Sequence, residues 1–474
     1  MIDNQSLKLF GSTVNVATSK ERNRRDTLRK AAKVLSVCYC AVVMLSLLLP
    51  DAFVLCLSEE EALNDSGGWH AVLRTALAAC FVVLPLSAFY KNKTLNNCCF
   101  FVIVVAVIAA VEYPTFMSYF TDPRGRGINS MSVISDNVKA FLLRKDFRTV
   151  VFFASVALML SAAICSLIAY GEKHDLKDKE EYMFLWVFPL IMLLALPIYV
   201  PQHIIGYTDM IFKPFSLAHF LWIAATVGEI AVLYVILKRK DTQTQNIVLL
   251  ALSLALLLQF NQLFGAVSIS FKRLPLQLCN IGSFLILASL IGKNKKIFNF
   301  TLIINVAGAL FAYAVPDVDG KGIGYLYNMH FILEHTGVVV IPLLCLLLGF
   351  IDKPDKNALK DCLKGFCIYF ASVWALGTIF NAVAAKTGNG FYSANYLFMF
   401  DKNAAVKLLP FLGPVFDVKI SIGNFIIYPA IQAIVFAVFV VVCVGVYFGL
   451  KLSFGKKQTE VVKNHAEEQN VNGL

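Results

Sequence analysis

The chain of 474 residues is 58% hydrophobic and only 15% charged, with a mean hydropathy of +0.69. These values exclude an ordinary soluble globular protein and predict a multispanning membrane protein. We expect the net charge of +11 to lie mostly in cytoplasmic turns that face anionic lipid headgroups, and we expect no nucleic-acid partner.

Apolar runs of about 18 to 25 residues recur along the whole chain. They are rich in Leu, Ala and Val, which predicts an all-α, polytopic bundle of transmembrane helices and not the alternating strands of a barrel. The predicted spans lie near residues 34–57, 71–90, 98–120, 149–170, 183–201, 216–237, 247–266, 274–292, 298–315, 328–351, 363–385 and 425–450. We divide them into an N-terminal bundle at 34–205 and a second bundle at 206–455, between polar cytoplasmic tails at 1–33 and 456–474.

Basic residues orient these spans. The segment from Lys20 to Lys33 is strongly basic, whereas residues 59–61 are all glutamate, so the positive-inside rule places the N-terminus in the cytoplasm. An even number of spans returns the C-terminus to the same side. The loop at 121–148 is predicted outside although it is basic, and we interpret residues 138–147 as an interfacial amphipathic helix.

The chain shows weak internal sequence similarity. An offset of 202 positions aligns the KNK segment at 91–93 with the KNK segment at 293–295, Ser87 with Ser289, and Asn97 with Asn299. A diverged duplication explains this pattern, since membrane proteins often carry internal repeats. Chance similarity of short basic turns is the alternative.

Polar side chains in the second half gather toward the predicted outer ends of the spans. Cys279 opens one span, and Glu334 and His335 lie next to one another inside another. Ionisable groups within a membrane are costly and usually face a cavity or a partner. We therefore expect one outward-facing pocket to collect these three side chains, with His330 paired to Glu334 through their i, i+4 spacing.

Five short segments in order strengthen this interpretation of the second half. They are FSLAH at 215–219, LPLQLC at 274–279, GAL at 308–310 with Pro316 and Asp317, His335, and finally NYLF at 395–398 with LGP at 412–414. With this order and spacing, residues 214–448 resemble the YwaF-like integral membrane family. The chain departs from the family pattern at Thr336, where a glycine is usual, and at residues 415–417, where the family has aromatic residues.

The resemblance implies a relation to an animal multipass acyltransferase that makes ether phospholipids. Carried onto this chain, it implies that Cys279 is a nucleophile that accepts an acyl group and that His335 is its general base. A thiol needs such a base because the thiolate is the reactive form. Supporting candidates are Gln277, Asn280 and Asn395 as donors to the oxyanion and Glu334 beside the imidazole; substrate-pocket candidates are His219, His330, Asp317 and Tyr396.

The sequence thus predicts a thiol-dependent acyltransferase that moves acyl chains between membrane phospholipids and lysolipids at the extracytoplasmic face. We expect it to need no cofactor and no metal, and we expect a multi-pass protein of a bacterial plasma membrane. Two alternatives stay open. One is a lipid or small-solute transporter, in keeping with Pro85, Pro189 and Pro197 inside spans; the other is a metal-dependent lipid hydrolase with ligands among His203, Asp317, His330 and His335.

Overall fold

The computed structural model describes residues 8–9, 12–13, 19–48, 69–114, 135–142, 144–170, 177–199, 210–260, 271–314, 316, 318, 322–408 and 410–455. Over these residues the secondary structure is helical apart from two short antiparallel hairpins. The predicted fold class, an all-α polytopic protein, is therefore confirmed.

The α-helices of the described ranges are α1 (Ser19–Leu48), α2 (Trp69–Phe89), α3 (Lys93–Val111), α4 (Asp136–Leu142), α5 (Lys145–Tyr170), α6 (Phe184–Tyr199), α7 (Leu217–Leu237), α8 (Thr242–Leu257), α9 (Leu278–Gly292), α10 (Lys295–Ala314), α11 (Leu326–Leu347), α12 (Lys356–Thr387), α13 (Lys402–Leu408) and α14 (Pro429–Gly455). The strands are β1 (Lys8–Leu9), β2 (Ser12–Thr13), β3 (Ile420–Ile422) and β4 (Phe425–Ile427).

Among the described residues, 9 helical segments are long and apolar enough to cross a membrane. They correspond to α2, α3, α5, α6, α7, α10, α11, α12 and α14. The helices α8 and α9 are apolar but shorter, with 16 and 15 residues. The protein is thus an integral multipass membrane protein.

Three predicted boundaries differ from the structure. The segment predicted as a polar tail is helical from Ser19 onward, because Lys and Arg are good helix formers and Glu21 pairs with Arg25 one turn later at 2.6 Å. The interfacial helix predicted at 138–147 is broken, since α4 ends at residue 142 and α5 begins at 145. The last span begins after the β3–β4 hairpin and not within it.

The helix α8 joins the two bundles. The helices α1, α2, α3, α5 and α6 share one apolar cluster, to which α8 contributes Leu250 and Leu254. From another face of the same helix, Leu249 and Leu256 enter a second cluster with helices α9 to α12 and α14. Residues at i and i+4 or i and i+7 share a helix face, so α8 is buried between two cores and positions them against one another.

The turn between α2 and α3 has the same contacts as the turn between α9 and α10. Asn92 and Asn294 each accept a backbone N–H bond from the first turn of the following helix, at 3.0 Å and 3.1 Å. Lys93 and Lys295 each form an ion pair of 2.8 Å with an aspartate. The aspartates are Asp178 and Asp352. These shared contacts support a diverged duplication, which stays a prediction.

Packing of α12 against α10 gives a test of the second bundle. A Cβ added at Gly365 would lie 2.6 Å from Cδ2 and 3.0 Å from Cγ of Phe300, whose ring is 7% exposed and has little space to move. We expect Gly365→Ala to lower the thermal unfolding midpoint in detergent, since overpacking costs about 1–3 kcal/mol.

Gly228→Ala is the matched control, because nothing lies within 4 Å of the added Cβ. An alanine in a helix without a clash is neutral or stabilising. Equal midpoints for Gly365→Ala and Gly228→Ala would contradict the described contact between α10 and α12.

Candidate functional site

Cys279 lies in the first turn of α9. Gln277 is the N-cap of that helix, and the first intrahelical bond is donated by the N–H of Ile281 to the carbonyl of Gln277, at 3.0 Å. The backbone N–H groups of Cys279 and Asn280 lie within hydrogen-bonding reach of the Cys279 sulfur. The first N–H groups of a helix have no intrahelical acceptor and carry partial positive charge, so these two are available to an acceptor beside the sulfur.

The helix α11 brings two side chains to this thiol. The Cys279 Sγ, a carboxylate oxygen of Glu334 and a ring nitrogen of His335 all lie within 4.8 Å of one another. Glu334 is 1% exposed and His335 is 8% exposed, whereas Cys279 is half-buried. The structure therefore brings together the three residues that the sequence predicts to share one pocket.

The tautomer of His335 follows from one hydrogen bond. Its Nδ1 lies 2.7 Å from the carbonyl oxygen of Phe331, one helical turn earlier. A carbonyl oxygen only accepts, so Nδ1–H donates, and Nε2 is the nitrogen with a free lone pair in the neutral ring. The ring of Phe331 packs against the imidazole with centroids 4.2 Å apart. His335 is thus held in the form that accepts a proton.

Glu334 belongs to a hydrogen-bonded network. The amide of Gln259, at the end of α8, donates from Nε2 to Oε1 of Glu334 at 3.4 Å, and Nδ1–H of His330 donates to the amide oxygen of Gln259. Nε2 of His330 lies 3.6 Å from Oε2 of Glu334, as their i, i+4 spacing predicts. A buried carboxyl group needs partners of this kind, and these two supply them.

The segment before α9 is fixed by contacts to a distant loop. The side-chain amide of Gln277 donates to the carbonyl of Asn395 at 3.2 Å and accepts from the N–H of Leu397 at 3.2 Å. Leu397 and Phe398 both adopt positive φ, 52° and 59°, a conformation that costs about 1–2 kcal/mol per residue outside glycine. Strain of this size persists only where surrounding contacts hold it, and Gln277 provides two of them.

The other predicted site residues have separate positions. His219 accepts from the N–H of Phe215 at its Nδ1, 3.0 Å away, and its Nε2 donates to the carbonyl of Tyr313 in α10 at 2.8 Å, so it holds the start of α7 and joins α7 to α10. The hydroxyl of Tyr396 donates to the carbonyl of Phe271. Asp317 and His203 lie outside the described residues.

The amide groups of the two predicted asparagines also differ. Asn395 accepts the N–H of Phe400 at 3.0 Å through its side-chain oxygen. Asn280 is 4% exposed, and its Oδ1 is buried without a hydrogen-bond partner in the described part of the chain. Orphaned buried amide oxygens of this kind are rare.

Two residues near the site were missed from the sequence. Gln259 was missed because a single glutamine that ends a leucine-rich run carries no spacing signal. Tyr369 of α12 donates its hydroxyl to the carbonyl of Leu276 at 2.8 Å and lies within electrostatic range of Cys279. A tyrosine inside an apolar span is a common packing residue, so the pattern gave no reason to select it.

Thr336 shows why this chain departs from the expected glycine after His335. Its hydroxyl accepts from Nε1 of Trp222 at 2.9 Å and lies 3.2 Å from the hydroxyl of Thr226. Both partners belong to α7, so the threonine joins α7 to the helix that carries the site.

All residues of the cluster lie within one segment of the chain that matches a known protein family. Residues 214–444 match the TMEM164 family. This is a multipass membrane family, and the matched segment, just under half of the chain, includes Gln259, Cys279, Glu334 and His335. It nearly coincides with the residues that resemble YwaF-like proteins, although that narrower label stays a prediction. The chain matches no curated protein and no solved structure.

The contacts of Gln277 give a test of how the TMEM164-like segment builds its site. Gln277→Ala removes both hydrogen bonds to residues 395–397, whereas Gln277→Glu keeps an acceptor for the N–H of Leu397 and places a carboxylate oxygen against the carbonyl of Asn395. Because a net hydrogen bond contributes about 1 kcal/mol, we expect the unfolding midpoint of both variants to fall below that of wild type.

Limited proteolysis should localise the effect. We expect cleavage within residues 390–417 to be faster in Gln277→Ala than in wild type. The control variant Gly228→Ala should be cleaved there at the wild-type rate. Unchanged midpoint and cleavage in both Gln277 variants would show that the amide does not hold this loop.

Proposed function

We propose that the protein is a membrane lipid acyltransferase in which Cys279 is the nucleophile and His335 is the general base. The observation that carries this proposal is the cluster of thiol, carboxylate and imidazole within 4.8 Å at the start of a helix. Covalent acyl transfer requires a nucleophile, a base near it and a contact that orients the base.

The first half-reaction loads the enzyme. The thiol of Cys279 gives its proton to Nε2 of His335, and the thiolate attacks the ester carbonyl carbon of a phospholipid. The carbon–oxygen bond to the glycerol backbone breaks, and the imidazolium returns its proton to the departing alkoxide. The products are a thioester on Cys279 and a lysolipid, with neutral His335 regenerated.

The second half-reaction transfers the acyl group from Cys279 to an acceptor lipid. A hydroxyl group of an acceptor lipid gives its proton to Nε2 of His335 as its oxygen attacks the thioester. The carbon–sulfur bond then breaks, and the imidazolium reprotonates the sulfur. The bilayer provides both substrates, so the cycle consumes no soluble cofactor.

The tetrahedral intermediate of each step places negative charge on the former carbonyl oxygen. The backbone N–H groups of Cys279 and Asn280 lie near the sulfur and belong to the first turn of α9, where N–H groups have no intrahelical acceptor, so they are suited to this oxyanion. A well-placed donor contributes about 3 kcal/mol. The amide of Gln277 is engaged with the 395–397 loop, which leaves the backbone and the side chain of Asn280 as the favoured donors.

Glu334 plays an electrostatic part in this scheme. Because Nδ1–H of His330 donates to Gln259, His330 and Glu334 together are neutral when they share one proton. A neutral pair next to Cys279 avoids a second full negative charge beside the thiolate, which would oppose its formation. His330 thus supports the reaction through Glu334, without contact to substrate.

Lipid esters are the substrates that the position of Cys279 favours. It is half-buried at the N-terminal end of α9, inside a bundle of apolar helices, a position that favours a substrate with an acyl chain. By the positive-inside assignment this end faces outward. That side argues against acyl-CoA, a cytoplasmic donor.

Intact-protein mass spectrometry tests the proposal. Purified protein is incubated with labelled phospholipid in the presence of a chelator and quenched by denaturation at short times. We expect an added acyl mass that hydroxylamine removes, that is absent in Cys279→Ala, and that forms at least about 100-fold more slowly in His335→Ala, the usual loss with a general base.

Cys367→Ala is the matched control, because this thiol is exposed on α12, outside the cluster. It should acquire the acyl mass as wild type does. No adduct on wild-type protein, or an adduct that persists in Cys279→Ala, would overturn the assignment of the nucleophile and favour the transporter alternative.

A further inference from the structure

We propose that Cys279, Glu334 and His335 also form a binding site for a zinc ion. The three side chains offer one sulfur, one oxygen and one nitrogen within 4.8 Å of one another. Zinc accepts these donors together and, in catalytic sites, takes three protein ligands with one open position. Over the described residues this cluster joins two helices, α9 and α11, that are distant in sequence.

The donor separations suit the ion after a small movement. Tetrahedral zinc has bonds of about 2.0–2.3 Å to nitrogen, oxygen and sulfur, so its ligand atoms lie roughly 3.3–3.8 Å apart. The donors of the cluster are within about 1.5 Å of that spacing. A shift of this size lies within the reach of side-chain rotation, and Cys279 is half-buried at a helix start.

Two of the three ligands are already oriented by a second contact. The Nδ1–H of His335 donates to the carbonyl of Phe331, which leaves the lone pair of Nε2 free to bind a metal ion. One oxygen of Glu334 accepts from Gln259 and the other faces His330. Metal-bound histidines and carboxylates in proteins show this pattern, with the far side of each ligand hydrogen-bonded to the protein.

Charge balance supports the same ion. The site is enclosed by membrane-spanning helices, where an unpaired charge is expensive. The thiolate of Cys279 and the carboxylate of Glu334 carry two negative charges, and a divalent cation balances both once the thiol proton is released to water. Since His335 is neutral as a ligand, the zinc ion and its three protein ligands together carry no net charge.

The sequence pattern did not reveal this site. Helical zinc motifs are recognised by two histidines at i and i+4, whereas His330 and His335 are five positions apart. Two of the donors, Glu334 and His335, are adjacent on α11, and the third, Cys279, lies on α9. Only the packing of α9 against α11 brings the three together. The ligand set also differs from the histidines and aspartate considered for a hydrolase, since Cys279 and Glu334 replace Asp317 and His203.

Zinc binding has a consequence for acyl transfer, and this consequence alone rests on the proposed function. A sulfur that is bonded to zinc has its lone pair engaged and does not attack an ester. The acyl group and the ion therefore compete for Cys279, and free zinc would inhibit the enzyme reversibly.

Cobalt provides the test, because Co²⁺ replaces Zn²⁺ and gives an absorption band in the near ultraviolet when a thiolate binds it. Purified wild-type protein, without added lipid, is titrated with Co²⁺ and then with Zn²⁺. We expect the thiolate–cobalt band to grow to one ion per protein, to vanish on addition of one equivalent of Zn²⁺, and to be absent in Cys279→Ser.

The two partner ligands are tested with conservative variants. Glu334→Gln and His335→Gln keep a polar side chain of similar size, and each should weaken cobalt affinity by about 100-fold or more, given that even outer contacts change affinity by about 10–100-fold. Cys367→Ser should bind as wild type does. Thermal unfolding without metal shows which variants are folded, and zinc should raise the midpoint of wild type but not of folded Cys279→Ser.

The proposal is overturned if wild type shows no thiolate–cobalt band, or if the band persists in Cys279→Ser or with undiminished affinity in both partner variants. Failure here is distinct from failure of the proposed function. The acyl adduct is measured with a chelator present and the cobalt band is measured without lipid, so each result stands independently.

Discussion

The buried carboxyl group of Glu334 is the constraint on which the arrangement of the second bundle depends. It is 1% exposed inside a helix long and apolar enough to cross a membrane, where an ionisable group without partners costs several kcal/mol. Gln259 reaches it from the turn that follows α8, His330 from the preceding turn of α11, and Cys279 from α9. Three helices therefore meet at one polar group inside an apolar bundle.

The short length of α9 follows from this requirement. Its 15 residues span about 22 Å, less than the ~30 Å of a hydrocarbon core. Cys279 is its second residue, whereas His335 is the tenth of α11, so α9 begins about 12 Å farther along than α11. The non-helical segment before it is held by Gln277 and Tyr369. A helix start is thereby placed inside the bundle, with its free N–H groups next to a thiol.

The sequence predicted the helical bundle well because a long apolar run in lipid must satisfy its backbone hydrogen bonds internally, which favours a helix. It also predicted the pairing of His330 with Glu334, since residues four apart on a helix share a face. The late start of α9 could not be predicted, because it is set by tertiary packing. Gln259 and Tyr369 could not be predicted for the same reason: each contributes through a contact between helices that no local spacing encodes.

The central claim is that His335 activates the thiol of Cys279, and thiol alkylation measures this most directly. The rate at which a membrane-permeant maleimide modifies Cys279 at neutral pH is compared between wild type and His335→Ala, with Cys367 of the same molecule as the internal reference. The account predicts that modification of Cys279 slows by at least about tenfold in His335→Ala, while the rate at Cys367 is unchanged. Equal rates at Cys279 in both proteins would contradict the account.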